Sequence, residues 1–232
     1  MLPDAVPTAD LNVSREKKLF LIVIKTVITR TFNKWICRLG KKVNRVRVYL
    51  DSKGIKNLPF EEIKVILRGA DELIMSGGRT LLAKILKGSK DKKLIELKLD
   101  KCRVYGRLND QTIEQIAARI DWLILNNYLD IEYDYRLPLL VFTEKGWQIE
   151  IDTRADEFLQ KFDEMIKTGQ SNFDMTFLKD RNRRMIFRLL DKVRDTKDKR
   201  YIPILEAWKS VDYKKVRQRI NTVIRSIEQN ED

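Results

Sequence analysis

Histidine is absent from all 232 residues. The usual general base and the commonest metal ligand are therefore missing, which weighs against hydrolytic and zinc chemistry. Cysteine occurs twice, at Cys37 and Cys102. Without a CxxC spacing the two make neither a zinc site nor a disulfide framework, and each reads as a small apolar filler rather than a reactive thiol. Such usage fits a reducing cytoplasm. The apolar run Leu19–Ile24 is six residues long, far short of the roughly 20 that cross a bilayer. No small-residue cleavage site follows it, so a secretory signal is not expected. Neither GGRT at 77–80 nor KGSK at 87–90 has the glycine-lysine spacing of a phosphate-binding loop. No catalytic residue, cofactor or metal is expected.

What is present is charge. Charged residues make up 35% of the chain against 43% hydrophobic, with a formal net charge of +13. Global disorder is excluded by that balance, and one or two domains with a sizeable core are expected. Residues 1–48 hold 11 basic and 3 acidic side chains, residues 49–170 hold 20 and 21, and residues 171–232 hold 16 and 10. Inside the nearly neutral middle, residues 84–107 carry nine cations against Asp91, Glu96 and Asp100. This local excess is either a phosphate-facing patch or a solvated surface.

Periodicity places the elements. A helix is expected over residues 60–77, with Pro59 near its start and Glu61 and Glu62 in the first turn. Leu81, Leu82, Ile85 and Leu86 share one face of a next helix that turns Lys84 and Lys87 outward. A second short helix and a polar loop follow. Ile113, Ile116, Ala117, Ile120, Leu123 and Ile124 form the stripe of a third helix capped by Asp110 or Thr112. Its exposed positions are expected to include Glu114, Gln115, Arg119 and Asp121, a poor set for reading bases. After Asn126-Asn127 the pattern alternates, with Leu129, Ile131 and Tyr133 against Asp130, Glu132 and Asp134, and Leu139–Phe142 follows a turn containing Pro138. The carboxylates on that strand are ordinary solvent-facing charges. Helix, helix, helix and hairpin is the element order of a winged helix.

The strings LLAKILKGS, DKCRVYG, NDQT and LLVFTEKG, in that order and spacing across residues 58–150, resemble the RQC winged-helix domain that follows the helicase core in RecQ helicases. Nothing here corresponds to the helicase motor or to the four-cysteine zinc module. The resemblance implies backbone-directed duplex binding by Lys87, Ser89 and Lys93, then Arg107, Asn109 and Gln111. Lys90 and Arg119 complete the candidate set, and Ser89 reads equally as a helix cap. It also implies an aromatic wedge at the wing tip, where Tyr133, Tyr135 and Arg136 lie. Tyr135 is the choice for stacking, against the alternative that Tyr133 faces the core and Tyr135 covers Pro138.

The expected fold class is mainly α with a small β-wing: a winged helix-turn-helix domain followed by a C-terminal helical module. The expected division is a basic apolar extension at 1–43, the RQC-like domain at 44–152, a linking helix at 153–170 and the helical module at 171–232. Residues 16–42 are a basic amphipathic helix for DNA or an anionic membrane, a helix packed on the core, or an extension from a misassigned start. Residues 45–50 alternate as a short strand. Residues 143–150 close the domain before a helix over 154–168. In the C-terminal module the stripes are Met185, Ile186, Leu189, Leu190 and Val193; then Ile202, Leu205 and Trp208; then Val216, Ile220, Val223, Ile224 and Ile227. YIPILEAWKSVDYKKVRQRI resembles a HEAT-type repeat, whose basic face (Lys214, Lys215, Arg217, Arg219 and Arg225) is a second nucleic-acid contact or merely solvated. The leading reading is a non-catalytic, nucleoid-associated DNA-binding protein at duplex ends, forks or junctions, acting in replication or repair beside a separate helicase. The alternatives are an RNA-binding or ribosome-associated winged helix, and a protein-interaction adaptor for a helicase. Oligomeric state is left open.

Overall fold

The computed structural model describes residues 44–169 and 172–229. Cys37 and the expectations for residues 1–43 lie outside them. The element order is α1 (Phe60–Asp71), α2 (Arg79–Lys87), α3 (Lys92–Glu96), α4 (Ile113–Leu125), β1 (Leu129–Asp134), β2 (Leu137–Phe142), α5 (Glu144–Lys167), α6 (Arg183–Thr196), α7 (Ile202–Val211) and α8 (Lys214–Glu228). The fold is mainly helical with one antiparallel hairpin, a winged helix followed by a helical module. No helix among the described residues is long and apolar enough to cross a membrane.

Local chemistry sets the boundaries. The first helix stops at Asp71, earlier than its apolar pattern suggests, and residues 72–76 continue as turns. Gly88, at φ 75°, ends α2 in the left-handed conformation that costs glycine least. Thr112 rather than Asp110 caps α4 through a reciprocal box: Gln115 N donates to Thr112 Oγ1 at 3.2 Å, and Thr112 N donates to Gln115 Oε1 at 2.8 Å. Two stripe residues are misplaced: Ala118 is buried in place of Ala117, and Ile113 at the helix entrance is 37% exposed.

Pro138 lies inside β2, opposite Tyr133, and the turn is Tyr135-Arg136. The strand tolerates it because of parity. Leu140 turns its N–H away from β1 to Gly77 O at 3.0 Å, so Pro138, two residues earlier, would have pointed its donor outward too. Residues 45–50 form no strand. They meet the hairpin through one backbone bond, Val46 N to Arg136 O at 3.2 Å, and otherwise through side chains.

The closing segment and the linking helix are a single 24-residue helix, α5. No glycine or proline interrupts residues 150–154, and Ile151 and Ala155 carry the apolar face across them at i, i+4. Its start serves a first core built on Ile66, Leu67, Leu82, Ile85, Ile116, Ile120 and Leu123, against which Ile149 packs. Beyond that point it serves a second core, where Phe162 meets Trp208 edge to face at 6.0 Å among Leu189, Leu190, Ile220 and Ile227. Ile204 is fully buried there, in a place expected for Ile202, which lies half-buried.

Between α1 and α5 lies a largely buried ionic cluster. Arg68, 6% exposed, faces Glu157 at 3.2 Å, Glu72 at 3.3 Å, Asp71 at 3.7 Å and Glu150 at 3.9 Å. Burial by itself would lower the Arg68 pKa, but the four carboxylates outweigh it and hold the guanidinium charged. Glu150, 1% exposed, has no hydrogen-bond partner among the described residues. Burial, reinforced by the nearby Asp71 charge, pushes its carboxyl well above the usual range despite Arg68 and Arg154. The folded state therefore keeps a proton that the unfolded chain loses near the ordinary carboxylate pKa. Between that value and the raised one, stability falls as pH rises. Glu150→Gln copies the protonated form. It is expected to flatten this slope and to raise stability near neutral pH by about 1–2 kcal/mol. Urea melts of both proteins from about pH 5 to pH 8 measure it, and parallel slopes would contradict the assignment.

Candidate nucleic-acid interface

Two motifs far apart in sequence are sewn together at the end of α2. Gly106 N donates to Ile85 O at 3.0 Å and Leu108 N to Leu86 O at 2.9 Å. Gly88 and Gly106 pass so closely that a Cβ on Gly88 would stand 3.0 Å from Gly106 Cα, and both have positive φ, 75° and 70°. Two glycines are what this approach requires. Arg107 and Asn109 are thereby set beside residues 87–90. The Tyr105 hydroxyl adds a bond to Ser89 O at 3.2 Å.

On this frame the nine cations of residues 84–107 divide. Lys84 is bound to Asp91 at 2.6 Å, Lys87 donates to Asn109 O at 2.6 Å, Lys92 pairs with Glu96 at 3.9 Å and Arg103 reaches Glu157 at 3.7 Å. Lys90, Lys93, Lys98, Lys101 and Arg107 are exposed and have no ion-pair partner among the described residues. The hydrogen bond from Lys84, above all, holds the Asp91 carboxyl below its usual range. Asp91 also caps α3, accepting from Lys93 N at 3.0 Å, so the cap role considered for Ser89 belongs to Asp91. Cys102, half-buried against the first core, has its thiol pKa raised chiefly by burial, as suits a filler.

Other candidates are spent internally. Arg119 is half-buried, in a salt bridge with Glu62 and a bond to Gln115 O at 3.2 Å. Asp121, expected at the surface, is 3% exposed. It takes Arg79 Nη1 at 2.6 Å and Asp51 N at 2.9 Å. The Gln111 side-chain oxygen is buried. Helix α4 thus offers solvent little beyond its first turn. Lys87 fixes the loop that carries Asn109, which leaves Lys90, Lys93 and Arg107 as the unpartnered candidates from the original set.

At the wing tip Tyr135 is 72% exposed and holds φ 53°. A bulky residue in the left-handed region is a cost that glycine would avoid at this position. The Tyr133 hydroxyl donates to Val46 O at 2.9 Å and its ring lies 5.1 Å from the Arg45 guanidinium. Arg136 Nε donates to Asn44 O at 3.0 Å. Residues 44–50 are thus strapped along the wing, anchored again where Arg79 donates to Tyr49 O at 3.0 Å. They add Arg45, Arg47 and the 75% exposed Tyr49 to the surface beside it. From the sequence these residues read only as a short strand, with no site role; arginine at both 45 and 47 is the signal they carry.

Helices α2, α3 and α4 with the hairpin define a winged helix whose unpaired cations lie outside α4. Residues 60–161 match the RQC domain family. Those residues therefore form an RQC domain, a RecQ-like, DNA-binding kind of domain. It is also similar to the ATP-dependent DNA helicase RecQ of Bacillus subtilis (strain 168), at 33% identity over 69 residues, 30% of this chain. That match covers 12% of the helicase's length. No solved structure matches the chain.

Proposed function

We propose that this protein engages duplex DNA at ends, forks or junctions through backbone and shape contacts, without catalysis of its own, as an accessory to replication or repair beside a separate helicase in the nucleoid. Residues 44–152 act as the DNA-binding unit and the linking helix joins them to a HEAT-like helical pair. The observation that carries this reading is the group of five exposed cations without an ion-pair partner among the described residues, Lys90, Lys93, Lys98, Lys101 and Arg107, within residues 90–107. Cations held free of internal acids are what phosphate neutralisation uses. Tyr135 stacks on the terminal base pair of an end or fork.

Fluorescence anisotropy with matched fork, blunt duplex, single-strand and RNA duplex probes over a salt series tests it. Lys90→Ala/Lys93→Ala is expected to weaken duplex DNA binding about tenfold and to lower the salt slope by about two, one per lost phosphate contact. Tyr135→Gly relieves the turn while removing the ring, and is expected to abolish fork preference, worth about 1–3 kcal/mol for one stacked base, with blunt-duplex affinity kept. Binding that ignores salt and the lysine pair would sink the DNA reading, and a tighter RNA duplex complex would redirect it to RNA.

A further inference from the structure

We propose that the outer face of α8, with the groove between α7 and α8, is a second contact for the phosphate backbone of the same duplex; this rests on the DNA reading above. The argument starts from how this module treats charge. Along the seam between α5 and α6 each cation meets an acid: Arg184 with Glu144 at 2.6 Å, Arg188 with Asp152 at 2.6 Å and Lys192 with Asp156 at 2.7 Å. On α6 Arg194 pairs with Asp195 at 2.8 Å, and from α8 Arg219 turns inward to Asp191 at 2.5 Å. Neutralisation is the habit here.

The rest of α8 breaks it. Val216, Ile220, Val223, Ile224 and Ile227 are buried, so at 100° per residue Lys214, Gln218, Asn221 and Arg225 lie on the opposite side, with Lys215 and Arg217 flanking them. Lys214, Lys215, Arg217 and Arg225 are exposed and have no ion-pair partner among the described residues. The only acid along this helix is Glu228, at its far end. Lys214 and Arg217 are like charges at i, i+3, and the first turn has no acid, an arrangement that the helix dipole opposes. A face assembled against its own helix's electrostatics gains stability from an external anion.

The shape agrees. An open groove of about 550 Å³ runs beside this face, lined by Lys209, Ser210, Lys214, Arg217, Gln218 and Asn221, with Glu206 paired to Lys209. Amide and hydroxyl groups between cations are the donors that hold phosphate oxygens. From Lys214 to Arg225 the cations span about 16 Å of helix, close to five base-pair steps of duplex at about 3.4 Å each. A membrane surface does not fit, because the apolar side of α8 is already consumed in the second core.

The experiment compares the full chain with Lys214→Glu/Arg217→Glu, and separately with Lys90→Ala/Lys93→Ala, on duplexes of about 12 and about 40 base pairs and on a matched RNA duplex, across salt. The expected result for the α8 variant is at least a tenfold loss on the long DNA duplex and a salt slope lower by about two, with the short duplex little changed. Its thermal midpoint is expected to hold or rise, because acids suit the first turn, and this separates lost binding from lost folding. Loss with the α8 variant while the Lys90/Lys93 variant stays silent would support this face and remove the winged-helix site; the reverse would overturn the proposal. Unchanged long-duplex affinity, as when the face serves an acidic protein instead, or an effect confined to RNA, would overturn it as well.

Discussion

Arg68→Ala is expected to cost about 3–5 kcal/mol, the penalty for leaving buried charge without its counter-ion. Four acidic side chains, Asp71, Glu72, Glu150 and Glu157, lie within 4 Å of this one guanidinium. Once it is gone, Arg154 remains, 3.9 Å from Asp71 and 3.4 Å from Glu157. Set against a total stability of about 5–15 kcal/mol for ordinary domains, the loss is enough to leave the protein partly unfolded at 37 °C. Its pH dependence is diagnostic. Without Arg68 the Asp71 and Glu150 carboxyls, already raised by burial, sit still further above their unfolded values, so the deficit is full near neutral pH and shrinks as pH falls toward the ordinary carboxylate range, where these acids take up protons in both states. Arg68→Lys keeps the charge but not the fork that reaches several acids at once, and is expected to fall between. Urea melts at about pH 7 and pH 5 report both effects. A neutral-pH loss under about 1 kcal/mol would mean that the carboxylates already share their protons and need no cation.

The helices and the hairpin were legible because their causes are local. Ile116, Ile120 and Leu123 repeat at helical spacing, and Thr112 with Gln115 forms a cap within one turn. Alternation alone marked β1. The C-terminal stripes were readable for the same reason, apart from Ile204, whose burial depends on how α7 rolls against α8. What could not be read was set by distant partners. Asp121 looks like a surface acid until Arg79, 42 residues away, and the Asp51 amide close over it. Arg119 looks like a phosphate ligand until Glu62, 57 residues earlier, takes it. Lys87 was named by family resemblance, yet its Nζ is committed to Asn109 O. Residues 45–50 alternate like a strand, but they meet the wing through one backbone bond, Val46 N to Arg136 O, and the Tyr133 hydroxyl rather than through a ladder. A pattern in one segment cannot show which side chains another segment will consume. The same logic separates free cations from structural ones, and it leaves Lys90, Lys93 and Arg107 in the winged-helix domain and Lys214 and Arg217 on α8 among the charges with no ion-pair partner in the described residues.

Gly146→Ala sets two physical rules against each other. Gly146 lies in the first turn of α5, where alanine should help by about 0.5–1 kcal/mol through helix propensity alone. Yet a Cβ there would stand 2.0 Å from the Tyr128 carbonyl oxygen, 2.9 Å from its carbon and 3.3 Å from Phe142 Cδ1. Backbone cannot swing aside as a flexible side chain does. The same carbonyl accepts Thr143 Oγ1 at 3.1 Å and Thr143 N at 3.3 Å, while Thr143 Oγ1 receives Gly146 N at 3.2 Å. This corner bolts the start of the wing to α5, so the added methyl must pry β1 away from the helix. The expected loss is about 3 kcal/mol, at the upper end for overpacking, which lowers the thermal midpoint by roughly 6–12 °C in a protein of this size. Gly169→Ala is the control: with φ 63° and open space around it, it is expected to lose only the roughly 1–2 kcal/mol of a strained backbone. If the wing delivers Tyr135 to a fork, Gly146→Ala must also erase fork preference in the fraction that stays folded, although the ring is intact. A midpoint that rises instead would mean that the Tyr128 carbonyl yields freely, and the wing would then be too loosely held to act as a wedge.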